Sequence, residues 1–118
     1  MLRIFIESKP MRLVILISTL LFMTTTTLFD FNKTSDTSNW RIVDDVVMGG
    51  RSNGSFEINT EGHGKFSGKI SLENNGGFSS LRYRFKTKDV SVYSKVTLRV
   101  KGDGNNYQFR IKTSSRDY

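Results

Sequence analysis

The sequence predicts a single all-β domain, built as an antiparallel β-sandwich or barrel. The chain has 118 residues, a length suited to one hydrophobic core. Beyond residue 27 it lacks helical periodicity of useful length, whereas apolar and polar residues alternate with a period of two in several segments. Turns rich in Gly and Asn separate these segments at fairly even spacing. Short alternating strands separated by such turns are typical of sandwiches and barrels.

The first 27 residues form a separate unit that resembles an export signal. A basic flank at residues 1–12 precedes an uncharged apolar run at residues 13–23, where we expect a helix. This run is shorter than the roughly 20 apolar residues that span a bilayer. Since no good cleavage site follows, a signal peptide and a membrane tether both stay open, with a buried core helix as the other interpretation. Met11 is a second candidate start. We expect an exported or tethered protein, or a cytoplasmic one if the signal does not work.

Eight segments are predicted to be strands. In the four longer ones, apolar residues occupy one face and mostly polar or basic residues the other. These longer strands are residues 65–72, 81–88, 95–101 and 107–112. The shorter candidates are residues 28–31, 40–43, 46–48 and 55–58.

Two connections between the predicted strands carry further information. The Gly-rich turn at residues 102–105 predicts a hairpin between the last two strands. The parity of the apolar residues changes between Phe78 and Leu81, which indicates a bulge or a break.

The last strand runs almost to Tyr118 without a closing element, and proteins usually cover such an edge. We therefore expect a missing C-terminal portion or another chain to complete the sandwich.

The charge of the chain is concentrated in its second half. The chain has 18 Lys and Arg against 11 Asp and Glu. Residues 61–118 hold twelve of these basic residues and five of the acidic ones. Alternation places many of the basic residues on one predicted face, namely Arg82, Arg84, Lys86, Lys95, Arg99, Lys101, Arg110 and Lys112. This face is either solvated or approaches an anionic membrane surface or an acidic protein.

The basic face does not predict binding to nucleic acid. Proteins that bind nucleic acid usually interleave aromatic rings with cations, so that bases can stack beside the phosphate contacts. Here the alternation places the neighbouring aromatic residues on the opposite, core face. These residues are Tyr83, Phe85, Tyr107 and Phe109.

The composition also excludes most enzyme chemistry. The chain has no Cys and one His, so it cannot form disulfides, thiolate metal sites or a cysteine nucleophile. Asp44 and Asp45 are adjacent, and adjacent side chains on a strand point to opposite faces. They are therefore poorly placed to share one substrate. We predict no catalytic residues, no metal, no cofactor and no enzymatic activity.

Two glycine-rich loops hold the candidate functional residues. In the first, an Asp carboxylate can accept hydrogen bonds from nearby backbone amides, and Gly49 and Gly50 permit a sharp turn. The second loop, at residues 74–80, is polar and leads into a strand. The candidate partner-binding residues are Asp45, Gly49, Gly50, Arg51, Ser52, Asn75, Gly76, Gly77, Ser79 and Arg82. The alternative is that both loops are architectural, with Val46, Val47 and Met48 partly filling the core.

Several blocks resemble one known family. Residues 40–52, Trp-Arg-Ile-Val-Asp-Asp-Val-Val-Met-Gly-Gly-Arg-Ser, resemble the opening signature of the complex I intermediate-associated protein 30 family. Similar blocks follow in the family's order at residues 64–68, at residues 71–80 with Arg82, and at residues 102–104 followed by Tyr107. The resemblance covers residues 28–118, which we take as one domain.

The resemblance implies both a fold and a role. The implied fold is a galactose-binding-like β-sandwich, or jelly roll. Mitochondrial members act as assembly chaperones for respiratory NADH:ubiquinone oxidoreductase, whereas the signal-like leader and the missing C-terminal strands depart from the family. The expected function is therefore a non-enzymatic binding or assembly module that acts on a protein, such as a membrane respiratory complex subunit, at or near a membrane. The alternative is a carbohydrate-binding module of the same fold, with a glycan bound near Arg82 or Asn75.

Overall fold

The computed structural model describes residues 3–8 and 25–114 and confirms the all-β class. The predicted apolar helix at residues 13–23 lies outside the described residues. The described strands are β1 (Arg3–Ser8), β2 (Thr25–Asp30), β3 (Trp40–Asp44), β4 (Asn53–Ile58), β5 (Gly64–Lys69), β6 (Ser79–Tyr83) and β7 (Tyr93–Arg99). Two short 3-10 helices, Asp45–Met48 and Glu73–Asn75, complete the regular structure of the described part.

The strands pair into three small antiparallel sheets. Their orders are β2-β1-β7, β3-β6 and β4-β5. In the second sheet Trp40 lies opposite Tyr83 and Asp44 lies opposite Ser79, so the pair has two distinct ends. A single jelly roll made from these sheets stays a prediction. Across residues 3–8 and 25–114, no helix combines the length and the apolar character needed to cross a membrane.

An aromatic cluster forms the core that connects these strands. Phe31, which follows β2, is only 5% exposed. Its ring centroid lies 5.0 Å from that of Trp40 and 5.6 Å from that of Phe56. The Trp40 ring stacks on Tyr83 with a centroid distance of 4.6 Å and an interplanar angle of 19°. Because rings of this size bury much apolar surface, the cluster fixes how β2, β3, β4 and β6 meet.

Most predicted strands are present, but residues 46–48 are not a strand. They belong to the 3-10 helix Asp45–Met48. The helix ends at Gly49, which has a φ of 88°, and Gly50 N–H donates to the Asp45 carbonyl at 3.0 Å. A run of three apolar residues is equally compatible with a strand and a turn, and here the backbone bonds around Asp45 decide for the turn.

The predicted strand at residues 81–88 is also corrected. β6 covers Ser79–Tyr83 with an unbroken register, so no bulge interrupts it. The last backbone bond on this side runs from Arg84 N–H to the Asn39 carbonyl, at 2.9 Å. Because β3 begins at Trp40, none of the described strands runs beside the alternating residues that follow. Alternation predicts which side chains share a face, but a ladder needs a neighbouring backbone.

The third correction concerns the end of the described chain. Residues 107–112 are not a strand, the predicted hairpin is absent, and Tyr107, Phe109 and Ile111 are exposed. Asp103 instead organises a local turn, accepting hydrogen bonds from Asn105 N–H and the Tyr107 hydroxyl, both at 3.0 Å. β7 pairs with β1 instead of this segment.

The predicted continuous basic face is also wrong. Arg82 belongs to the β3-β6 sheet, while Lys95 and Arg99 belong to β7 in another sheet. Arg110 and Lys112 lie outside the described strands. The basic residues are therefore distributed over several surfaces, because strands that look alike in sequence pair with different partners.

Candidate functional site

The first glycine-rich loop is organised around the buried carboxylate of Asp45. This residue directly follows β3 and is 0% exposed. Its Oδ1 accepts a hydrogen bond from Ser52 N–H at 2.8 Å. Its Oδ2 accepts from the Ser52 hydroxyl at 2.6 Å and from the amides of Gly77 and Phe78 at 2.6 and 3.3 Å. One side chain thus holds together the start of the first loop, its end, and the second loop.

These hydrogen bonds determine the charge state of Asp45. The Ser52 hydroxyl has the largest effect, and with the amides of Gly77, Ser52 and Phe78 it outweighs desolvation and lowers the pKa of Asp45 to about 2. The group is therefore a carboxylate at neutral pH. Since its oxygens already accept four hydrogen bonds, the arrangement suits a structural anion better than a general acid or base.

Ser52 extends this network to the start of the second loop. It is 1% exposed, and its hydroxyl oxygen accepts a hydrogen bond from Ser71 N–H at 3.0 Å. The Asn74 amide adds a second bridge by donating to the Gly49 carbonyl at 3.1 Å. Asp45 and Ser52 are thus interior residues that position the two loops. Ser71 was not among the candidate residues predicted from the sequence, although it begins the family-like block at residues 71–80.

Two glycines leave room for the carboxylate. A Cβ on Gly50 would lie 2.3 Å from Asp45 Cγ, and one on Gly76 would lie 2.4 Å from Asp45 Oδ2. Neither distance is compatible with a larger side chain unless the loop moves. Gly50 and Gly76 are therefore required by the close approach of two backbones to one carboxylate.

The network presents three consecutive apolar side chains to solvent. Val46, Val47 and Met48, here named the apolar cap, are 60%, 76% and 68% exposed. They do not fill the core, in contrast to the architectural alternative. Leu72, just before the second loop, is exposed as well. A contiguous set of large apolar side chains in water is uncommon on a monomer surface and is typical of an interaction site.

The remaining candidate residues take different positions. Arg51 is exposed and forms a 2.8 Å ion pair with Glu73 across the two loops. Asn75 is exposed, whereas the Ser79 hydroxyl is buried and lacks a partner within the described residues. Arg82 lies along β6, where its Nε donates to Ser80 Oγ at 3.2 Å. Of the candidates, Gly50, Ser52, Gly76 and Gly77 thus lie around the Asp45 carboxylate. Partner binding by the predicted set stays a prediction.

A second surface lies at the opposite end of the β3-β6 pair. An open groove of about 600 Å³, here named the basic groove, is lined by Asn39, Tyr83, Arg84, Phe85, Lys86 and Thr87. Phe85 is 44% exposed and stacks on Tyr83 with a centroid distance of 5.3 Å. The sequence had placed Phe85 on the core face, away from its basic neighbours. Since β6 ends at Tyr83, the ring and the cations instead share the groove.

Within residues 3–8 and 25–114, His, Asp and Glu side chains do not gather in a group of three or more that could hold a metal ion. Asp45, the carboxylate at the centre of the candidate site, is bonded to Ser52 and to backbone amides.

Comparison with known proteins gives the family. The model of the family described as complex I intermediate-associated protein 30 (CIA30) matches residues 29–118. Searches of curated proteins and of solved structures found no match. The matched range contains both loops around Asp45 and the basic groove. Since it covers well over half of the sequence, the chain belongs to the complex I intermediate-associated protein 30 family, which associates it with the assembly of complex I.

Proposed function

We propose that this protein is a non-enzymatic assembly module that binds a protein partner during complex I assembly through its apolar cap. The observation that carries the proposal is the exposure of Val46, Val47 and Met48, between 60% and 76%, on a loop fixed by buried hydrogen bonds. Folding alone would favour burying these side chains. Their presentation to solvent is explained if a partner covers them.

The rigid support of the apolar cap favours binding. Burying a Val or Met side chain contributes about 1.5–3 kcal/mol relative to leaving it exposed. Part of that gain is normally lost when a flexible loop becomes ordered on binding. Here Asp45 and Ser52 already order the loop, so less free energy is lost. The Arg51–Glu73 ion pair, 2.8 Å long, supplies a polar rim beside the apolar residues.

The state of Asp45 supports a non-enzymatic role. A general base needs a free lone pair within reach of a substrate proton. Asp45 is inaccessible to solvent and its oxygens accept four hydrogen bonds, with a pKa lowered to about 2. The Asp45 carboxylate therefore stabilises the two loops and is not available as a general base.

The proposal can be tested by complementation. In the source organism, a strain lacking the gene would express either the wild type or a Val47→Asp/Met48→Asp variant, and complex I would be quantified on native gels. We expect the wild type to restore the assembled complex and the cap variant to lose most of this rescue. A Val90→Asp/Val92→Asp variant is the matched control, because both valines are exposed outside the cap. Normal rescue by the cap variant would contradict the proposal.

The control also separates binding from folding. Circular dichroism and protein levels should be similar for the wild type, the cap variant and the control. If both double variants fail to rescue at equal protein levels, the effect is one of surface charge in general, and the cap is not the binding surface.

Location is a further part of the proposal. The apolar run at residues 13–23 supports export or tethering, which brings the module to a membrane. N-terminal sequencing of the mature protein from membrane and soluble fractions tests this. β1 lies between β2 and β7 in its sheet, and it stays there only if the leader is not cleaved. A mature protein in the membrane fraction that retains Arg3–Ser8 therefore supports a tether. A protein found intact only in the soluble cytoplasmic fraction contradicts both forms.

Carbohydrate binding is the second candidate function. The observation in its favour is the exposed Phe85 ring beside the Asn39 amide in the basic groove, since sugar rings can pack on an aromatic face and bond to an amide. The three sheets would then be parts of the galactose-binding-like jelly roll. Saturable glycan binding in calorimetry, lost on changing Phe85 or Asn39, would favour this function over protein binding.

A further inference from the structure

We propose that the basic groove binds an extended acidic segment of a partner protein, which adds as a strand beside the chain that follows β6. This inference rests on the proposed protein-binding function and gives the partner a chemistry. It concerns a different surface from the apolar cap, because the cap follows Asp44 and the groove adjoins Trp40 at the other end of the β3-β6 pair.

The first argument is the unpaired backbone. Arg84 N–H donates to the Asn39 carbonyl at 2.9 Å, and among the described residues this is the last backbone hydrogen bond on that side. From Phe85 to Lys88 the chain forms no hydrogen bond with any residue that the structure describes. Peptide groups left unpaired beyond the end of a strand are a template for an added strand, whose main chain supplies the missing donors and acceptors.

The second argument is charge. Arg84 and Lys86 line the groove, and Lys88 follows two residues later. All three are exposed, and within the described ranges none of them is paired with a carboxylate. An acidic segment would complement these cations and would be steered towards them before contact.

The third argument is the aromatic ring. Phe85 is 44% exposed, yet its ring is held by Tyr83, which stacks in turn on Trp40. An apolar side chain can pack on this fixed ring with little loss of conformational entropy. A segment that alternates acidic and apolar residues therefore meets both the cations and the ring. Unpaired peptide groups are the feature that favours a peptide over a sugar or a nucleic acid.

Fluorescence anisotropy with the full chain tests the proposal. The probe is a labelled octapeptide of alternating glutamate and valine, compared with the same peptide carrying lysine at every glutamate position. We expect saturable binding of the acidic probe only. An Arg84→Glu/Lys86→Glu variant should weaken binding at least tenfold, and Phe85→Ala should weaken it several-fold. A probe with the same side chains but an N-methyl group on every peptide nitrogen should not bind, because it has no backbone donors.

A matched control distinguishes binding in the groove from general electrostatic attraction between the acidic probe and the basic protein. A Lys69→Glu/Lys101→Glu variant makes the same charge change at exposed residues outside the groove. It should bind the acidic probe as the wild type does, apart from a modest salt-dependent loss. Equal weakening by both double variants, or full binding of the N-methylated probe, would overturn the proposal.

Two other classes of anionic ligand test whether the groove is specific for a peptide. An acidic oligosaccharide or a single-stranded oligonucleotide that binds through Arg84 and Lys86, while the acidic peptide does not, overturns the peptide assignment. Failure of this inference is distinguishable from failure of the proposed function. If the peptide does not bind but the cap variant still abolishes complex I rescue, only the groove assignment falls.

Discussion

The two ends of the β3-β6 pair are built in contrasting ways. At the end formed by Asp44 and Ser79, the chain folds around the Asp45 carboxylate, which accepts four hydrogen bonds. At the Trp40 end, stacked rings define the surface, and Trp40 Nε1 is buried without a partner among the described residues. Hydrogen bonds are directional, whereas ring packing tolerates several geometries. The polar end should therefore be the less tolerant of change.

The largest expected effect is at the polar end. Asp45→Ala leaves three amides and a hydroxyl without the carboxylate that accepts their hydrogen bonds. We therefore expect loss of the cooperative unfolding transition in urea, followed by circular dichroism. Asp36→Ala is the matched control. Asp36 accepts two hydrogen bonds from Ser38 but is exposed, so its loss should leave the transition almost unchanged. Similar transitions for the two variants would show that burial is not decisive here.

Filling the space beside Asp45 should have the next largest effect. Gly50→Ala places a Cβ 2.3 Å from Asp45 Cγ, and we expect it to lower the free energy of unfolding by about 1–3 kcal/mol. Gly102→Ala serves as the control, because its Cβ would meet nothing closer than 4.0 Å. Urea denaturation measures both. A Gly50→Ala variant as stable as the control would mean that the loop adjusts easily.

Acid stability should depend on Ser52. The pKa of Asp45 is lowered from 3.8 to about 2 in the folded state. The ionised carboxylate therefore stabilises the folded state fully above pH 3.8, and this contribution is lost as the pH falls towards 2. Ser52→Ala removes the strongest single cause of the lowered pKa. We expect its acid unfolding, followed by the fluorescence of Trp40, to begin at higher pH than that of the wild type. Ser38→Ala is the control, and an unchanged acid midpoint in Ser52→Ala would contradict the role of the network.

The aromatic end should tolerate a conservative change. Trp40→Phe removes an indole N–H that has no partner in the described structure and keeps an aromatic ring against Tyr83. We expect the free energy of unfolding to fall by less than about 1.5 kcal/mol in urea denaturation. A loss as severe as that of Asp45→Ala would remove the contrast between the two ends.

The smallest effect is expected at the rim. Arg51 and Glu73 form a 2.8 Å ion pair, but their side chains are 67% and 63% exposed. Such pairs contribute about 0–1 kcal/mol and are screened by salt. Arg51→Ala should therefore lower the unfolding free energy by about 0.5 kcal/mol or less, and the difference should disappear in 1 M salt. A larger loss that persists in salt would place Arg51 within the structural network.

The sequence by itself determined the all-β class, the approximate positions of most strands and the family. Alternation with a period of two depends only on neighbouring residues, so the segments within β2 to β5 and β7 could be located from it. The Asp45 loop was recognised as a candidate because an Asp carboxylate can accept hydrogen bonds from nearby backbone amides, and Gly49 and Gly50 permit a sharp turn. The ordered motif blocks identified the family.

Tertiary structure decided which strands pair and which side chains face water. It turned Val46, Val47 and Met48 outwards and closed Ser52 inside, because amides 32 and 33 residues further along the chain reach the Asp45 carboxylate. It also ended β6 at Tyr83, where β3 offers no further backbone, and so brought Phe85 beside Arg84 and Lys86. These outcomes depend on contacts between distant segments, which a local alternation pattern does not encode.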